Sequence, residues 1–311
     1  MFKVAVVGCG GIGNAHARSW SSIPDVKVVA VVDLKEENAK RVAEACGAIP
    51  LTDIKDLPKD LDGVSVVTPP RAHYPVVKAL LEAGYNVFSE KPLTTEVETG
   101  EELDALAKAK GKVLSVGFKM RYEPIFIKAK ELLPKIGKLV SICSTKQQAF
   151  HDRPEGQWVK KVGAMYELSI HDFDLISFIT GKLPKQVLAS RCMYRFGWEK
   201  EDAAHALVDY GDGVTATLQS MYAVSCGFWF KDLTFTFLGD KGYMRVERPD
   251  RIILHTDEFE VVEVPAATKS AFVCELEHFR DAVLGKTENT LTAQSAIAMT
   301  KLIEDIRNMS K

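Results

Sequence analysis

The apolar run Lys3-Val4-Ala5-Val6-Val7 ends directly in Gly8-Cys9-Gly10-Gly11-Ile12-Gly13, and Asn14 to Ser21 then has helical character. No other stretch constrains the fold as much. A continuous apolar run suits a strand buried on both faces of a parallel sheet. Strand, G-x-G-x-x-G and helix, in that order, form the context that a dinucleotide-binding turn requires. Gly8 permits the tight turn, Gly10 lets the backbone approach a pyrophosphate, and Gly13 lets the helix pack closely. A diphosphate would lie along Gly10, Gly11 and Ile12 at the helix N-terminus, where unpaired N–H groups and the helix dipole favour negative charge.

The next strand, Val26 to Val32, ends at Asp33, twenty residues beyond Gly13. A carboxylate there accepts hydrogen bonds from both adenosine ribose hydroxyls and repels a 2′-phosphate, which favours NAD over NADP. Lys35 is the nearby cation that blurs this choice. An S-adenosylmethionine methyltransferase shares a glycine loop and an acid after the second strand, so the fold pattern alone leaves that alternative open. Glu36 to Cys46 reads as a helix with a charged outer face. The fourth strand, Gly63 to Val67, is stopped by Thr68-Pro69-Pro70, which present a rigid surface at its carboxyl end. His73 opens a helix running to Ala83, as a helix-start or surface residue. Asn86 to Ser89 is a short buried strand, and Glu90-Lys91-Pro92 follows it. In an open parallel sheet ligands bind beyond the carboxyl ends of the strands, so Lys91 projects toward such a crevice, although a lone Glu-Lys-Pro also suits a surface loop. Thr95 to Lys110, capped by Thr94 or Thr95, is an amphipathic helix, and Val113 to Val116 closes the sheet. Phe2 to Gly117 therefore reads as a doubly wound α/β domain.

A chain of 311 residues has room for a second domain. Its 40 basic and 42 acidic residues show no basic stripe or tail, which argues against nucleic acid or an anionic membrane as partner. Met1-Phe2-Lys3 leads straight into a strand, leaving no room for a signal peptide, and no apolar run is long enough to span a bilayer. Six scattered cysteines without a C-x-x-C pair read as free thiols in a reducing cytoplasm.

Beyond Gly117 the pattern changes. Strands are expected at Leu139 to Thr145, Gln186 to Arg195, Ala204 to Tyr210, Val214 to Tyr222, Leu233 to Leu238, Tyr243 to Val246 and Arg251 to His255. Tyr210-Gly211-Asp212-Gly213 carries hairpin chemistry. Val214, Ala216 and Leu218 alternate with Thr215, Thr217 and Gln219, which leaves a polar face solvated or facing a partner. Arg121 and Tyr122, just after the last strand of the first half, are placed to anchor a hydroxyl or carboxylate. The polar segment His151 to Trp158 suits a sugar, whose ring stacks on indole, or an ordinary surface loop; the cluster Phe228-Trp229-Phe230 suits core, interface or pocket. A helix from Ala164 to Thr180 carries Glu167 and His171 four apart on one face, with Asp174 near the same stripe. A neutral imidazole beside an alcohol is a good general base. No third ligand accompanies Glu167 and His171, and no metal is expected.

Taken together, Gly8 to Gly13, Thr68-Pro69 with His73, Glu90-Lys91-Pro92, Gly117-Phe118 with Arg121-Tyr122, and Ser169-Ile170-His171-Asp172-Phe173-Asp174 resemble the glucose–fructose oxidoreductase/inositol dehydrogenase/MocA-type (Gfo/Idh/MocA) family. The resemblance implies a Rossmann domain at 1–118. It implies an α/β domain at 119–311, with a large, mostly antiparallel open sheet that binds substrate and mediates homodimers or homotetramers. It implies hydride transfer between NAD and a sugar, cyclitol or related polyol, with Lys91 and His171 as the catalytic pair and Glu167 beside them. Thr68, Pro69, His73, Glu90 and Lys91 would border the cofactor; Lys91, Arg121, Tyr122, Trp158, Glu167 and His171 would border the substrate. At the position of Glu167 the family usually has Asp. Two rivals share these features: an enzyme that recycles its NAD during elimination or epimerisation, and a non-catalytic or redox-sensing NAD-binding regulator.

Overall fold

The computed structural model describes residues 1–150, 157–224 and 230–311, which divide into two units. The first comprises Met1–Lys119 with Thr268–Ile297; the second comprises Met120–Ala267 with Ala298–Lys311. Among the described residues no helix is long and apolar enough to cross a membrane.

The first unit begins with β1 (Phe2–Val7), α1 (Gly11–Ser21), β2 (Val26–Val32), α2 (Glu36–Cys46) and β3 (Ile49–Leu51). It continues with β4 (Gly63–Val66), α3 (His73–Glu82), β5 (Val87–Glu90), α4 (Val97–Ala109) and β6 (Leu114–Gly117). The six strands are parallel, in the order β3-β2-β1-β4-β5-β6. Strand order reverses between β1 and β4, the switch point beyond which ligands bind in open α/β sheets. Val4, Val6, Val64, Val66, Val87 and Phe88 are wholly buried, as central strands covered on both faces require. The helix predicted from Thr95 starts later, at Val97, with Glu96 at its N-cap position. The Thr94 hydroxyl donates to the Glu96 carbonyl at 2.7 Å.

A single cut after residue 118 describes the chain incompletely, because Thr268–Ile297 returns to the first unit. The returning helix Ala271–Val283 is capped by Ser270, whose hydroxyl accepts from Phe272 N. Its Phe272 packs edge-on to His16, and its Phe279 packs edge-on to Trp20 and Phe88, with centroids 5.3, 6.3 and 5.8 Å apart. These partners are remote in sequence, so no local pattern announces them.

The second unit contains α5 (Pro124–Leu132), β7 (Leu139–Phe150), α6 (Gln157–Val162), a π turn at Met165–Ser169 and α7 (Ile170–Thr180). Seven more strands follow: β8 (Gln186–Met193), β9 (Ala203–Gly211), β10 (Val214–Val224), β11 (Lys231–Gly239), β12 (Gly242–Glu247), β13 (Arg251–His255) and β14 (Phe259–Glu263). The eight-stranded sheet runs β14-β13-β12-β11-β7-β10-β9-β8, antiparallel throughout except for the β7–β10 pair. The β9–β10 turn uses Gly211, Asp212 and Gly213, all at positive φ, as its hairpin sequence predicts.

Register separates the two faces of this sheet. Val208, Ala216, Ile142, Phe237, Met244 and Leu254 sit opposite one another from strand to strand, and all are buried. The neighbouring row, Leu207, Thr217, Cys143, Thr236, Arg245, Ile253 and Val261, points the other way and is partly or fully exposed. Period-two alternation therefore gives one core face and one flat open face of mixed character. On the core side, Phe126 of α5 stands edge-on to Phe235 at 5.9 Å.

Candidate functional site

In the first unit the glycine turn has the shape its sequence demands. Gly8 has φ +101°, and an added Cβ would lie 2.7 Å from the Val67 carbonyl oxygen. A Cβ on Gly13 would run into the Gly8 carbonyl, so α1 packs on the turn only because that side chain is missing. At Gly10 and Gly11 the space is open: an added Cβ meets nothing within 4 Å. Ile12 is exposed beside them. An exposed turn of bare backbone at the N-terminus of α1 fits a dinucleotide diphosphate.

Asp33 lies at the carboxyl end of β2, where its carboxylate is fixed to the same turn. Oδ2 accepts from Cys9 N at 2.8 Å, and Oδ1 accepts from Lys35 N at 2.9 Å and from Asn38 Nδ2 at 3.3 Å. Arg41, which the sequence reading did not single out, donates through Nη2 to the Cys9 carbonyl at 2.8 Å. An exposed guanidinium therefore stands on the loop that Asp33 holds. Burial, reinforced by Asp33, pushes the Cys9 thiol up to about 12, which favours the neutral thiol over the reactive thiolate.

His73 does open α3, but it is buried rather than on the surface. Nδ1 faces the Pro92 carbonyl at 2.6 Å and Nε2 faces the Thr68 carbonyl at 2.7 Å. The ring thus ties the segment after β4 to the segment after β5, and both its nitrogens are committed to backbone. Burial lowers its pKa against the pull of the two carbonyls. Pro69 leads into a 3-10 turn at Pro70–Ala72. Lys91, half-buried, follows β5 directly, and its peptide bond to Pro92 is cis. The Glu90 carboxylate turns inward: Oε1 meets His16 Nε2 at 3.1 Å, and Oε2 accepts from Lys91 N at 3.1 Å. Desolvation opposes its charge, yet His16, Lys91 and Lys119 outweigh that and hold it below the usual carboxylate range.

In the second unit His171 lies in the first turn of α7 and is 9% exposed. Two buried ion pairs pin this helix. Asp172, next to His171, meets Lys146 Nζ of β7 at 3.0 Å. Asp174 accepts from Arg121 Nε at 2.8 Å and from Nη2 as well, a two-pronged carboxylate–guanidinium pair. Desolvation lifts both aspartates above their usual range, and Lys146 and Arg121 work against that rise. Arg121, expected to anchor substrate, thus has its fork engaged by Asp174. Tyr122 is half-buried at the end of the turn Lys119–Tyr122.

The segment carrying Glu167 is a π turn instead of the start of one regular α-helix. Such turns are frequent at functional sites. Glu201, fully buried, fastens it by accepting from Met165 N at 3.2 Å and from Arg307 at 2.9 and 3.0 Å. Gly163, at φ +92°, leaves room for that carboxylate. Glu167 is half-buried, and its charge acts on Tyr222 and Lys231, so it is not a solvent-facing helix-start acid. Desolvation first, then the charges of Lys146 and Arg248, lower the Lys231 pKa to about 8. Trp158 packs against a cluster of Phe150, Val159, Ala164, Leu168, Trp198 and Tyr222. Residues 151–156 of the expected sugar-contacting loop, and Phe228 and Trp229 of the aromatic cluster, lie outside the described residues.

Sequence reading missed His16, Arg41, Lys146, Glu201, Lys231, Glu275 and Arg307. An isolated Lys or Glu in a strand or helix reads as a solvated residue, and only tertiary pairing shows otherwise.

Comparison with known proteins agrees with this arrangement. Residues 2–118 match the oxidoreductase family with NAD-binding Rossmann fold, and residues 126–245 match the GFO/IDH/MocA C-terminal domain. The chain is 26% identical over 325 residues to scyllo-inositol 2-dehydrogenase (NAD(+)) of Bacillus subtilis (strain 168), covering 96% of this chain and 93% of that protein. It is 30% identical over 218 residues to scyllo-inositol 2-dehydrogenase (NADP(+)) IolW of the same organism, covering 67% and 60%. The structure of UDP-N-acetylglucosamine 3-dehydrogenase GnnA from Acidithiobacillus ferrooxidans superposes with a TM-score of 0.86 at 22% identity, covering 99% and 97%, which shows a shared fold. The glycine turn, the Glu90-Lys91-Pro92 segment and the His171 helix are thus parts of an NAD(P)-dependent dehydrogenase, and the chain belongs to the Gfo/Idh/MocA oxidoreductase family.

Proposed function

We propose that this protein transfers a hydride between NAD and a secondary hydroxyl of a sugar, cyclitol or related polyol. The observation that carries this reading is Lys91, held at the carboxyl end of β5 in the sheet whose β1 turn is open and whose β2 ends in Asp33. The nicotinamide, when bound, takes up or returns the hydride. His171 removes the hydroxyl proton onto its ring, and the Lys91 ammonium donates to the substrate oxygen as negative charge grows there. Glu167 orients the imidazole or accepts from a neighbouring substrate hydroxyl. Asp172 and Asp174, anchored by Lys146 and Arg121, keep α7 and therefore His171 in place.

Asp33 supports NAD as the preferred dinucleotide, since its carboxylate would repel a 2′-phosphate. We assign cofactor binding to the first unit, and substrate binding and self-association to the second. The open face of the eight-stranded sheet, with Leu207, Thr217, Cys143 and Val261, supports a homo-oligomer formed there. The five described cysteines are free, in keeping with a reducing cytoplasm.

Screening NADH formation against cyclitols, aldoses and sugar nucleotides tests the activity. Net NADH with one of these classes is the expected result. Tightly retained nucleotide with product but no net NADH would move the assignment to a recycled cofactor. Tight NAD binding without turnover of any of them would move it to a regulator.

A further inference from the structure

One buried carboxyl group of the first unit has no part in the reaction described above. Glu275, on the returning helix Ala271–Val283, is wholly buried, and neither of its oxygens meets a hydrogen-bond donor among the described residues. One oxygen of Glu275, one of Glu90 and one ring nitrogen of His16 all lie within 4.8 Å of one another. A lone carboxyl without donors inside a folded unit requires an explanation.

The surroundings leave little room for two negative charges. The His16 ring lies near Phe88 and Phe272, with centroids 5.6 and 5.3 Å away. Gly117 backs the Glu90 carboxylate so closely that a Cβ there would be 3.1 Å from its Cδ. Glu90 receives the N–H groups available: Nε2 of His16, and the backbone N of Lys91. The other charges acting on the pair are those of Lys119, whose ammonium sits 3.8 Å above the Phe272 ring, and of Lys91 and His73 on the Glu90 side. Two ionised carboxylates placed this close in a buried site repel strongly, and one proton shared between them removes the conflict.

We propose that Glu275 is a neutral carboxylic acid in the folded protein, donating its O–H to the Glu90 carboxylate, and that it is a positioning residue for Glu90. Through the bond from Lys91 N to Glu90 Oε2, it also steadies the backbone that carries Lys91. The titration behaviour agrees. Burial, and then the charge of Glu90, push Glu275 well above the usual carboxylate range, while Glu90 stays below it. A divalent cation held by the same three side chains is the competing occupant, and it would require both carboxylates ionised.

The test needs no substrate, so its outcome is independent of the activity proposed above. Thermal melting of the purified full chain is followed from about pH 5 to about pH 9, for the wild type, Glu275→Gln and Glu275→Leu. A carboxyl whose pKa rises on folding stabilises the fold fully below its unfolded pKa, and loses that contribution as pH climbs through the folded value. The wild type should therefore lose melting temperature toward high pH. Glu275→Gln cannot ionise and still donates an N–H to Glu90, so it should match the wild type at low pH and show a flatter profile. Glu275→Leu keeps the bulk but leaves Glu90 without that donor, and should melt at least about 4 °C lower across the range. In the infrared, the wild type should show a protonated carboxyl band at neutral pH that Glu275→Gln lacks. Absence of that band, or a Gln variant that melts well below the wild type at neutral pH, would overturn the proposal. So would about one equivalent of zinc or manganese retained by the wild type and lost from Glu275→Gln.

Discussion

Lys146 Nζ and Asp172 Oδ1 lie 3.0 Å apart, with both side chains almost completely buried. The strand that forms the middle of the eight-stranded sheet is thus tied to the residue following His171. Lys146 also donates to the Leu168 carbonyl, so its ammonium is shared between a charge and a backbone acceptor on the same helical segment. Breaking such a pair leaves an uncompensated buried charge, whereas replacing both partners avoids it.

Asp172→Asn should therefore cost about 3–5 kcal/mol of stability, because the Lys146 ammonium loses its counter-charge. The double change Lys146→Met with Asp172→Leu should recover much of that loss. Urea unfolding measures both. An Asp172→Asn variant as stable as the wild type would show that Lys146 finds another partner or sheds its proton.

Cofactor choice should follow Asp33. The wild type should prefer NAD over NADP by at least tenfold in kcat/KM, or about 1.4 kcal/mol. Asp33→Ser removes the repulsion and leaves Arg41 on the Cys9 loop as a partner for a 2′-phosphate, so the ratio should shift toward NADP. Adding Arg41→Ala should reverse part of that shift. Equal efficiency of the wild type with both dinucleotides would remove Asp33 from this role.

Lys91→Met should lower kcat by roughly two orders of magnitude, the usual scale for a lost proton or charge donor. Its backbone N–H to Glu90 is kept, so NAD affinity should change little. Isothermal titration and steady-state rates separate the two effects. Near-normal turnover would make Lys91 an ordinary loop lysine.

Glu167→Gln should depress kcat/KM at least tenfold, about 1.4 kcal/mol of transition-state stabilisation. The prediction rests on its half-buried place and on the charge it exerts at Tyr222 and Lys231. Thermal stability and NAD binding should barely move. Glu167→Asp should be milder for activity and should widen the range of substrates accepted. An unchanged kcat/KM in the Gln variant would exclude Glu167 from the site.

Lys231 should impose a pH limit of its own. With its pKa lowered to about 8, it loses charge well before an ordinary lysine. If its ammonium donates to substrate, KM should rise above that pH, and Lys231→Gln should flatten the profile. Stability should move the other way: a lysine whose pKa falls on folding adds stability above its unfolded value, and that contribution is lost as pH drops through the folded one. A KM profile identical in both proteins would refute the contact.

The first unit was legible in sequence because its signals are local. A glycine turn between strand and helix, an acid at the end of the second strand, and apolar runs in central strands each declare their place within a few residues. The hairpin at Tyr210 to Gly213 was legible for the same reason. What escaped was tertiary. Arg121 looked like a ligand anchor because nothing nearby in sequence competes for it, yet Asp174 engages it across 53 positions. His73 looked like a surface helix start, yet two backbone carbonyls enclose it. The π turn at Met165–Ser169 gave no sign either, since an apolar stretch reads alike in either winding and Glu201 and Arg307, which fasten it, lie far along the chain.

The return of Thr268–Ile297 to the first unit bears on how the chain is made. A ribosome releases Phe2 to Gly117 early, with all six strands of the parallel sheet, but without the helix whose Phe279 packs on Trp20 and Phe88. Until translation reaches Ala271–Val283, those two aromatic rings lack Phe279 as a packing partner. Translation must pass Val283 before the nucleotide-binding sheet can close its last apolar seam. That sheet is thus completed only after Met120–Ala267 of the second unit has been made, and a nascent chain halted near residue 119 would lack the helix that packs on Trp20 and Phe88.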